Sequence, residues 1–191
     1  MSTAMYPSKA EMRITGAVTK LGGQPTWLER PLWPTSAKLG EPMDFIGQFR
    51  LPGERIRLAY LFMSFDEAGE LNTYDPEGGE NALIIQRGGC LPSFVGKDAE
   101  LFEGPSLLEW DEIAVELVPV YAGDSGGLSS WIGGEPRFIQ NEEYPEGEGW
   151  RFLFQLDSSN PDFGVSFGDA GVGYGFVSAD GRAGRFLWQC H

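Results

Sequence analysis

Two stretches of this 191-residue chain resemble each other, and this internal repeat limits the folds that the chain can adopt. The segment Leu21–Glu29, LGGQPTWLE, aligns with Ile132–Gln140, IGGEPRFIQ, 111 positions later. Further on, Tyr60–Asp66 and Tyr174–Asp180 share the pattern Tyr-x-Phe-x-Ser-x-Asp. Self-similarity in a fixed order is typical of duplicated structural units that bury a shared core between them.

Further matches keep the same order, with offsets between 103 and 114 residues: Phe45–Phe49 with Phe152–Leu156, and Leu83–Gln86 with Phe186–Gln189. We therefore predict a single domain at 21–191 that contains two copies and a connector, at about 21–87, 132–190 and 88–131. Residues 1–20 are then expected to be an N-terminal extension.

Local patterns in both copies favour short antiparallel strands. Gly-Gly-x-Pro is typical of turns, and the Tyr-x-Phe-x-Ser-x-Asp pattern alternates with the period of a strand. In the connector, Ser106 and Glu109 have the spacing of a helix capping box, so we predict a short helix at 105–113. Residues 114–121 alternate better as an edge strand. The predicted fold is a β-rich α+β domain of mostly antiparallel strands, whose two halves pack with pseudo-two-fold symmetry.

Composition supports a globular domain and argues against several functional classes. The 27 glycines and 13 prolines indicate many turns, and 13 Phe, 6 Trp and 6 Tyr can supply a core. The formal net charge of −14 argues against binding to nucleic acid or to an anionic membrane. The negative charge lies in residues 61–191, which form either a solvated surface or a face that attracts a basic partner.

We expect a cytoplasmic protein without a membrane segment. The N-terminal residues contain no apolar run typical of a secretory signal, and the longest apolar run, Leu58–Met63, is too short to span a bilayer. Cys90 and Cys190 have no CxxC spacing, and two such cysteines are typical of reduced thiols in a cytosol.

No motif for catalysis or cofactor binding stands out. Residues Gly123–Gly127 read GDSGG, the string around the nucleophile of trypsin-like serine proteases. That mechanism needs a histidine that accepts the proton of the serine, and here the only histidine is His191, which follows Ser125 in the chain. We interpret the string as a Gly-rich loop, and expect a non-enzymatic protein with no catalytic residue, cofactor or metal.

Several side chains are candidates for binding. Gln48 and Gln155 lie at matching places within apolar strands, where they either bond to neighbouring backbone or line a cleft between the copies. Asp169, between glycines, either forms an Asx turn or serves as a recognition or metal-binding carboxylate. Trp33 aligns with Tyr144, and each ring either packs against a Gly-Gly turn or is an exposed anchor.

The most acidic stretch follows the second Gly-Gly turn and contains Glu142, Glu143, Glu146 and Glu148. It is either a solvated loop or a contact site for a basic surface.

These motifs together resemble the YwqG-like family of bacterial domains over about 20–191. The C-terminal stretches are the more specific part: GDAG at Gly168–Gly171, GYGF at Gly173–Phe176 and LWQC at Leu187–Cys190. Phe167 departs from the pattern, which has Trp there. The resemblance implies a single β-rich domain with internal duplication and no established catalytic residues. Similar domains are proposed as immunity proteins encoded beside bacterial toxins.

We therefore expect a protein-interaction domain and, in its specific form, an immunity protein that binds and blocks a toxin domain. The expected partner is a basic protein, not nucleic acid or membrane. The alternative is a small-ligand or metal-binding module with a cleft between the two copies, where Asp169, Gln48 and Gln155 make the polar contacts.

Overall fold

A computed structural model describes residues 2–65, 69–108, 111–120 and 129–191. They form ten strands and one short 3₁₀ helix at Pro161–Phe163. In chain order the strands are β1 Ser2–Lys9, β2 Lys20–Gly22, β3 Asp44–Arg50, β4 Leu58–Met63, β5 Asn81–Gln86, β6 Glu112–Val120, β7 Trp131–Ile132, β8 Arg151–Asp157, β9 Val172–Val177 and β10 Gly184–Gln189.

All ten strands belong to one sheet, in the order β10-β9-β8-β7-β1-β6-β2-β3-β4-β5. Every pairing between neighbouring strands is antiparallel. The central pair is β1 with β6, in which Ser2 lies opposite Val120 and Tyr6 lies opposite Glu116. The prediction of a β-rich, mostly antiparallel domain is confirmed.

The sheet curls into a nearly closed, barrel-like shape, because its outer strands β5 and β10 approach each other. Gly184 of β10 lies so near the Leu83 carbonyl of β5 that a Cβ atom would collide with it. Beside this seam, Arg185 Nε lies 2.8 Å from Glu77 Oε1, and the guanidinium covers the Phe94 ring at 4.6 Å. Backbone proximity and an ion pair therefore join the two ends of the sheet.

Three apolar clusters fill the molecule. The central cluster draws on both halves of the sheet, and at its middle the Phe49 and Phe154 rings stack with centroids 3.7 Å apart. A second cluster, around Trp33, covers the outer face of β3–β5, and a third, around Tyr174, covers the outer face of β9 and β10. Because loops cover these outer faces, β5 and β9 are buried along their whole length, which explains their nearly continuous apolar sequences.

The predicted helix at 105–113 is wrong for the residues that the structure describes in that span. The Phe45 N–H donates to the Pro105 carbonyl at 2.9 Å, and the Leu107 N–H donates to the Phe45 carbonyl at 3.1 Å. These bonds to a strand occupy the backbone groups that a helix would use. The strand predicted next is confirmed as β6, but it lies in the middle of the sheet. Since the 3₁₀ turn is the only helix within the described ranges, the structure does not support the α component of the predicted α+β class.

The first residues of the chain take part in the sheet. Residues 1–20, which the sequence set apart as an extension, contain β1 and the first residue of β2. β1 pairs with β6 on one side and with β7 on the other, at Thr3 and Ala4. Across the described parts of the chain, no helix combines the length and apolar character needed to cross a membrane.

Candidate functional site

Three polar side chains of the first half hold the loop at 26–30, and we call them the first clasp: Gln48, Tyr60 and Gln86. Gln48 Oε1 accepts the Thr26 N–H at 2.8 Å, and the Tyr60 hydroxyl donates to the Thr26 carbonyl at 2.8 Å. Gln86 Oε1 accepts the Leu28 N–H at 3.1 Å. All three side chains are fully buried, so the clasp replaces hydrogen bonds that the loop would make with water.

The second half has a second clasp, formed by Gln155, Tyr174 and Gln189, which holds the loop at 137–141. Gln155 Oε1 accepts the Arg137 N–H at 2.9 Å, and the Tyr174 hydroxyl donates to the Arg137 carbonyl at 3.0 Å. Gln189 Oε1 accepts the Gln140 N–H at 3.1 Å. The two paired glutamines singled out in the sequence therefore bond to backbone, and neither is free to contact a ligand.

Trp33 is also enclosed, which corrects its candidacy as an exposed anchor. Its side chain is fully buried, and its indole Nε1 donates to the Met43 carbonyl at 2.8 Å. Connector residues Leu91, Phe94 and Leu101 pack against the same cluster. Tyr144, the aligned residue, is 50% exposed while one edge of its ring packs on Phe138 and Phe176.

The segment 142–148, here called the acidic loop, presents its glutamates to solvent. Glu142, Glu143, Glu146 and Glu148 are all exposed. Glu143 Oε2 accepts a hydrogen bond from Gln189 Nε2 at 3.2 Å, and the Glu146 carbonyl accepts one from Trp150 Nε1 at 2.8 Å. One of these bonds ties the loop to β10, and the other ties it to Trp150, the residue before β8.

Asp169 lies on the turn at 168–171 and is exposed. Gly168 of this turn packs against Trp188 and Cys190, and the Asp169 carbonyl accepts the His191 N–H at 3.4 Å. The turn thus lies at the same end of β10 as Gln189, the contact of the acidic loop. The structure brings Asp169 and the acidic loop to this end of β10, while Gln48 and Trp33 lie in the other half.

A concavity lies elsewhere among the described residues, in a region that the sequence did not single out. This polar groove, of about 890 Å³, lies between residues 9–13, the turn at 23–24 and residues 103–106. Its charged lining consists of Lys9, Glu11, Arg13, Asp44, Glu103, Asp111 and Glu112. Within the described residues, none of the three main cavities is lined by Gln48, Gln155 or Asp169.

Three of the lining carboxylates are in ion pairs: Asp111 with Lys9 at 3.0 Å, Glu103 with Arg13, and Glu112 with Lys20 at 2.9 Å. The first two pairs are exposed, whereas Lys20 is fully buried behind the groove. Burial lowers the pKa of Lys20, and the neighbouring Glu112 opposes this effect. Glu112 also accepts the Ile14 N–H, so this pair fixes the residues that follow β1.

Asp44, the first residue of β3, differs from these carboxylates. Its side chain is half-buried, and its carboxylate has no hydrogen bond or ion pair with any described residue. Burial raises the pKa of Asp44. The one sequence signal that could have found it is its alignment with Arg151, where the two copies carry opposite charges.

The described residues show no arrangement for metal chemistry. No group of three or more His, Cys, Asp or Glu side chains in the described ranges could hold a metal ion. Cys90 and Cys190 are both free thiols. The GDSGG string at 123–127 lies outside the described residues.

Comparison with known families gives one match. The family model "Domain of unknown function (DUF1963)" matches residues 89–186, just over half of the chain. A search of curated proteins finds no match. The result agrees with the expected family of unknown function, but the YwqG-like name is not part of it.

Proposed function

Since the chain belongs to the DUF1963 family, a domain of unknown function, we propose a function from its surfaces: a non-enzymatic cytoplasmic domain that binds a basic protein. In its specific form the partner is a bacterial toxin domain, and the chain is the immunity protein that blocks it.

The exposure of the acidic loop carries this proposal. Its four glutamates face solvent together, and Gln189 of β10 and Trp150, the residue before β8, each hold the loop with a hydrogen bond. Carboxylates fixed on a rigid support attract a basic surface and suppress encounters with acidic ones. Tyr144 adds a half-exposed ring among them, and aromatic residues are frequent at the centres of interfaces.

We also propose that the two halves are duplicated units related by an approximate two-fold axis between Tyr6 and Glu116. The corresponding bonds of the two clasps support this relation. The strand order supports it too, because β5-β4-β3-β2, counted from one edge of the sheet, correspond to β10-β9-β8-β7, counted from the other. The central strands correspond too, since Gly23 packs on Glu112 of β6 while Gly134 packs on Ser2 of β1. On this view the acidic loop is a diverged surface on a shared scaffold.

The alternative, a small-ligand or metal site between the two copies, has less support. Its proposed contacts Gln48 and Gln155 are committed to backbone groups, and Asp169 lies outside the main cavities.

The test is affinity capture from the native host at low and at moderate salt. Wild type is compared with Glu142→Gln/Glu143→Gln/Glu146→Gln and with a matched control, Glu41→Gln/Glu54→Gln/Glu100→Gln. Both triple variants change exposed glutamates only and alter net charge equally. We expect one stoichiometric basic partner that wild type and the control retain, and that the loop variant or added salt releases.

Co-expression of that partner then tests the specific form. An immunity protein should restore growth when its toxin is produced, and the loop variant should not. The absence of a stoichiometric partner, or equal capture by both triple variants, would overturn the proposal.

A further inference from the structure

Within the described residues, one half-buried carboxylate in the lining of the polar groove has neither a hydrogen bond nor an ion pair. Gln24 and Gly104 bond to each other in both directions, each at 2.9 Å, and Ser106 Oγ donates to the Phe45 carbonyl. With the ion pairs described above, these bonds satisfy the other polar side chains of the lining within the described residues, apart from Glu11 at the exposed rim. The Asp44 carboxylate is therefore the group available to an incoming ligand.

The sign of that ligand follows from the charges around Asp44. Lys9, Arg13 and Lys20 are each committed to a carboxylate, so the surplus charge of the groove is that of Asp44 and Glu11. An anion would be repelled by these two uncompensated carboxylates, whereas a cation would neutralise the charge of the half-buried Asp44 carboxylate. A charge-assisted bond to a partly buried carboxylate is stronger than an exposed surface pair.

The rim indicates the shape of the ligand. Met12 lines the groove and is 81% exposed, so its apolar side chain lies at the edge of the groove. Lysine and arginine side chains bury an apolar stem along such surfaces while the charged head reaches a polar group. A methionine at the edge of a groove that contains a carboxylate fits that combination better than it fits a hydrated inorganic cation.

We propose that the polar groove is a socket for one lysine or arginine side chain of the basic partner, with Asp44 as its counter-ion. This inference rests on the proposed function and adds a second contact to the acidic loop. It predicts that the partner presents a protruding cationic side chain as well as a basic patch.

The test uses two probes of almost the same shape, N-acetyl-arginine amide and its neutral counterpart N-acetyl-citrulline amide, titrated into the ¹⁵N-labelled full chain. We expect saturable shifts of the Gly23, Gly104 and Ser106 amides with arginine and not with citrulline. Asp44→Asn should weaken binding of the probe, and of the captured partner, by at least about tenfold. Glu54→Gln, at an exposed site outside the groove, should change neither.

A second variant tests the socket independently, in case Asp44→Asn fails to fold. Met12→Lys adds a competing cation at a position that is 81% exposed, so the core is untouched, and it too should weaken both ligands. Thermal unfolding of each variant shows whether the fold is retained.

The outcomes separate the two proposals. If the acidic-loop variant loses the partner while Asp44→Asn and Met12→Lys keep it, the socket is overturned and the proposed function stands. Equal shifts with citrulline also overturn the socket. If arginine binds at the groove but no protein partner exists, the proposed function fails and the assignment to a protein side chain fails with it, leaving a site for free small cations.

Discussion

The two halves of the molecule use corresponding clasps but cover them differently. In the first half, Trp33 is fully buried, and connector residues such as Leu91 and Phe94 pack on its cluster. In the second half, the aligned Tyr144 is 50% exposed, and the glutamates around it face solvent. Corresponding hydrogen bonds can therefore support a closed surface in one half and an open one in the other.

This difference shows where the chain can vary without loss of its scaffold. The clasps satisfy buried backbone groups, so their residues are constrained by stability. The connector lies on the first half, and the described residues include no counterpart that covers the acidic loop. A surface that needs no cover is free to acquire a binding role.

Truncation of the aligned residues Trp33 and Tyr144 should give the largest difference in stability between the two halves. Trp33→Ala should lower the free energy of unfolding by about 3–5 kcal/mol, because it leaves a cavity and removes the bond to Met43. Tyr144→Ala should cost about 1 kcal/mol or less, since half of the ring is exposed. Urea unfolding followed by tryptophan fluorescence, with Trp33→Phe as an intermediate control, measures both. Equal losses would show that the connector does not seal the first half.

The buried ion pair of Lys20 with Glu112 belongs to the first half alone, because Trp131 stands at the position that aligns with Lys20. Its removal should have the next largest effect on stability. Lys20→Met should cost about 3 kcal/mol or more, since Glu112 is left as an uncompensated buried charge. Lys20→Met/Glu112→Gln should recover part of this loss, because the amide keeps an oxygen for the Ile14 N–H. Unfolding in urea at neutral pH measures the three proteins. A double variant less stable than the single one would contradict the assignment.

The glutamines of the two clasps should differ by a smaller amount. Gln48→Ala removes bonds to Thr26, Gly16 and Val18, and should cost about 3 kcal/mol. Gln155→Ala removes bonds to Arg137 and Ser129, and should cost about 2 kcal/mol. Chemical denaturation compares them under one condition. If Gln155→Ala were the more destabilising, the first clasp would not be the tighter one.

At alkaline pH, the free energy of unfolding should fall more steeply in wild type than in a variant that lacks one of the tyrosines of the clasps. Burial raises the pKa of Tyr174 from 10.0 to about 12, and raises that of Tyr60 further. Stability from the protonated Tyr174 is therefore complete below pH 10 and is lost as pH rises from 10 through 12. Tyr174→Phe should cost about 1 kcal/mol at neutral pH and flatten this decline, as urea unfolding at several pH values would show. An unchanged slope between pH 10 and 12 would contradict it.

Much of the scaffold could be predicted from the sequence because each copy of the repeat contains short patterns that alternate with the period of a strand. Gln48, Gln155 and the Tyr-x-Phe-x-Ser-x-Asp patterns correctly marked strands β3, β8, β4 and β9. The antiparallel, β-rich class followed from these patterns. The acidic loop was found from composition alone, and its exposure agrees with the structure.

Tertiary contacts determine what the sequence did not show. β1 alternates poorly, and its strand character depends on β6, more than a hundred residues away. The capping-box spacing at Ser106 favours a helix locally, but pairing with Phe45 prevails. The polar groove combines residues from five separate stretches of the chain, of which Asp44 alone is one, so no local motif marks it.

The placement of β1 has a consequence for synthesis of the chain. β1 pairs with β6, whose last residue is Val120, and with β7 at Trp131 and Ile132, so both partners are synthesised more than a hundred residues after it. The first half therefore cannot complete its central pairing until β6 has been translated. Contacts of such long sequence separation slow folding and leave strand edges unpaired meanwhile. Until β6 emerges, β1 and one edge of β2 lack their native partner, and aggregation competes with folding during that interval.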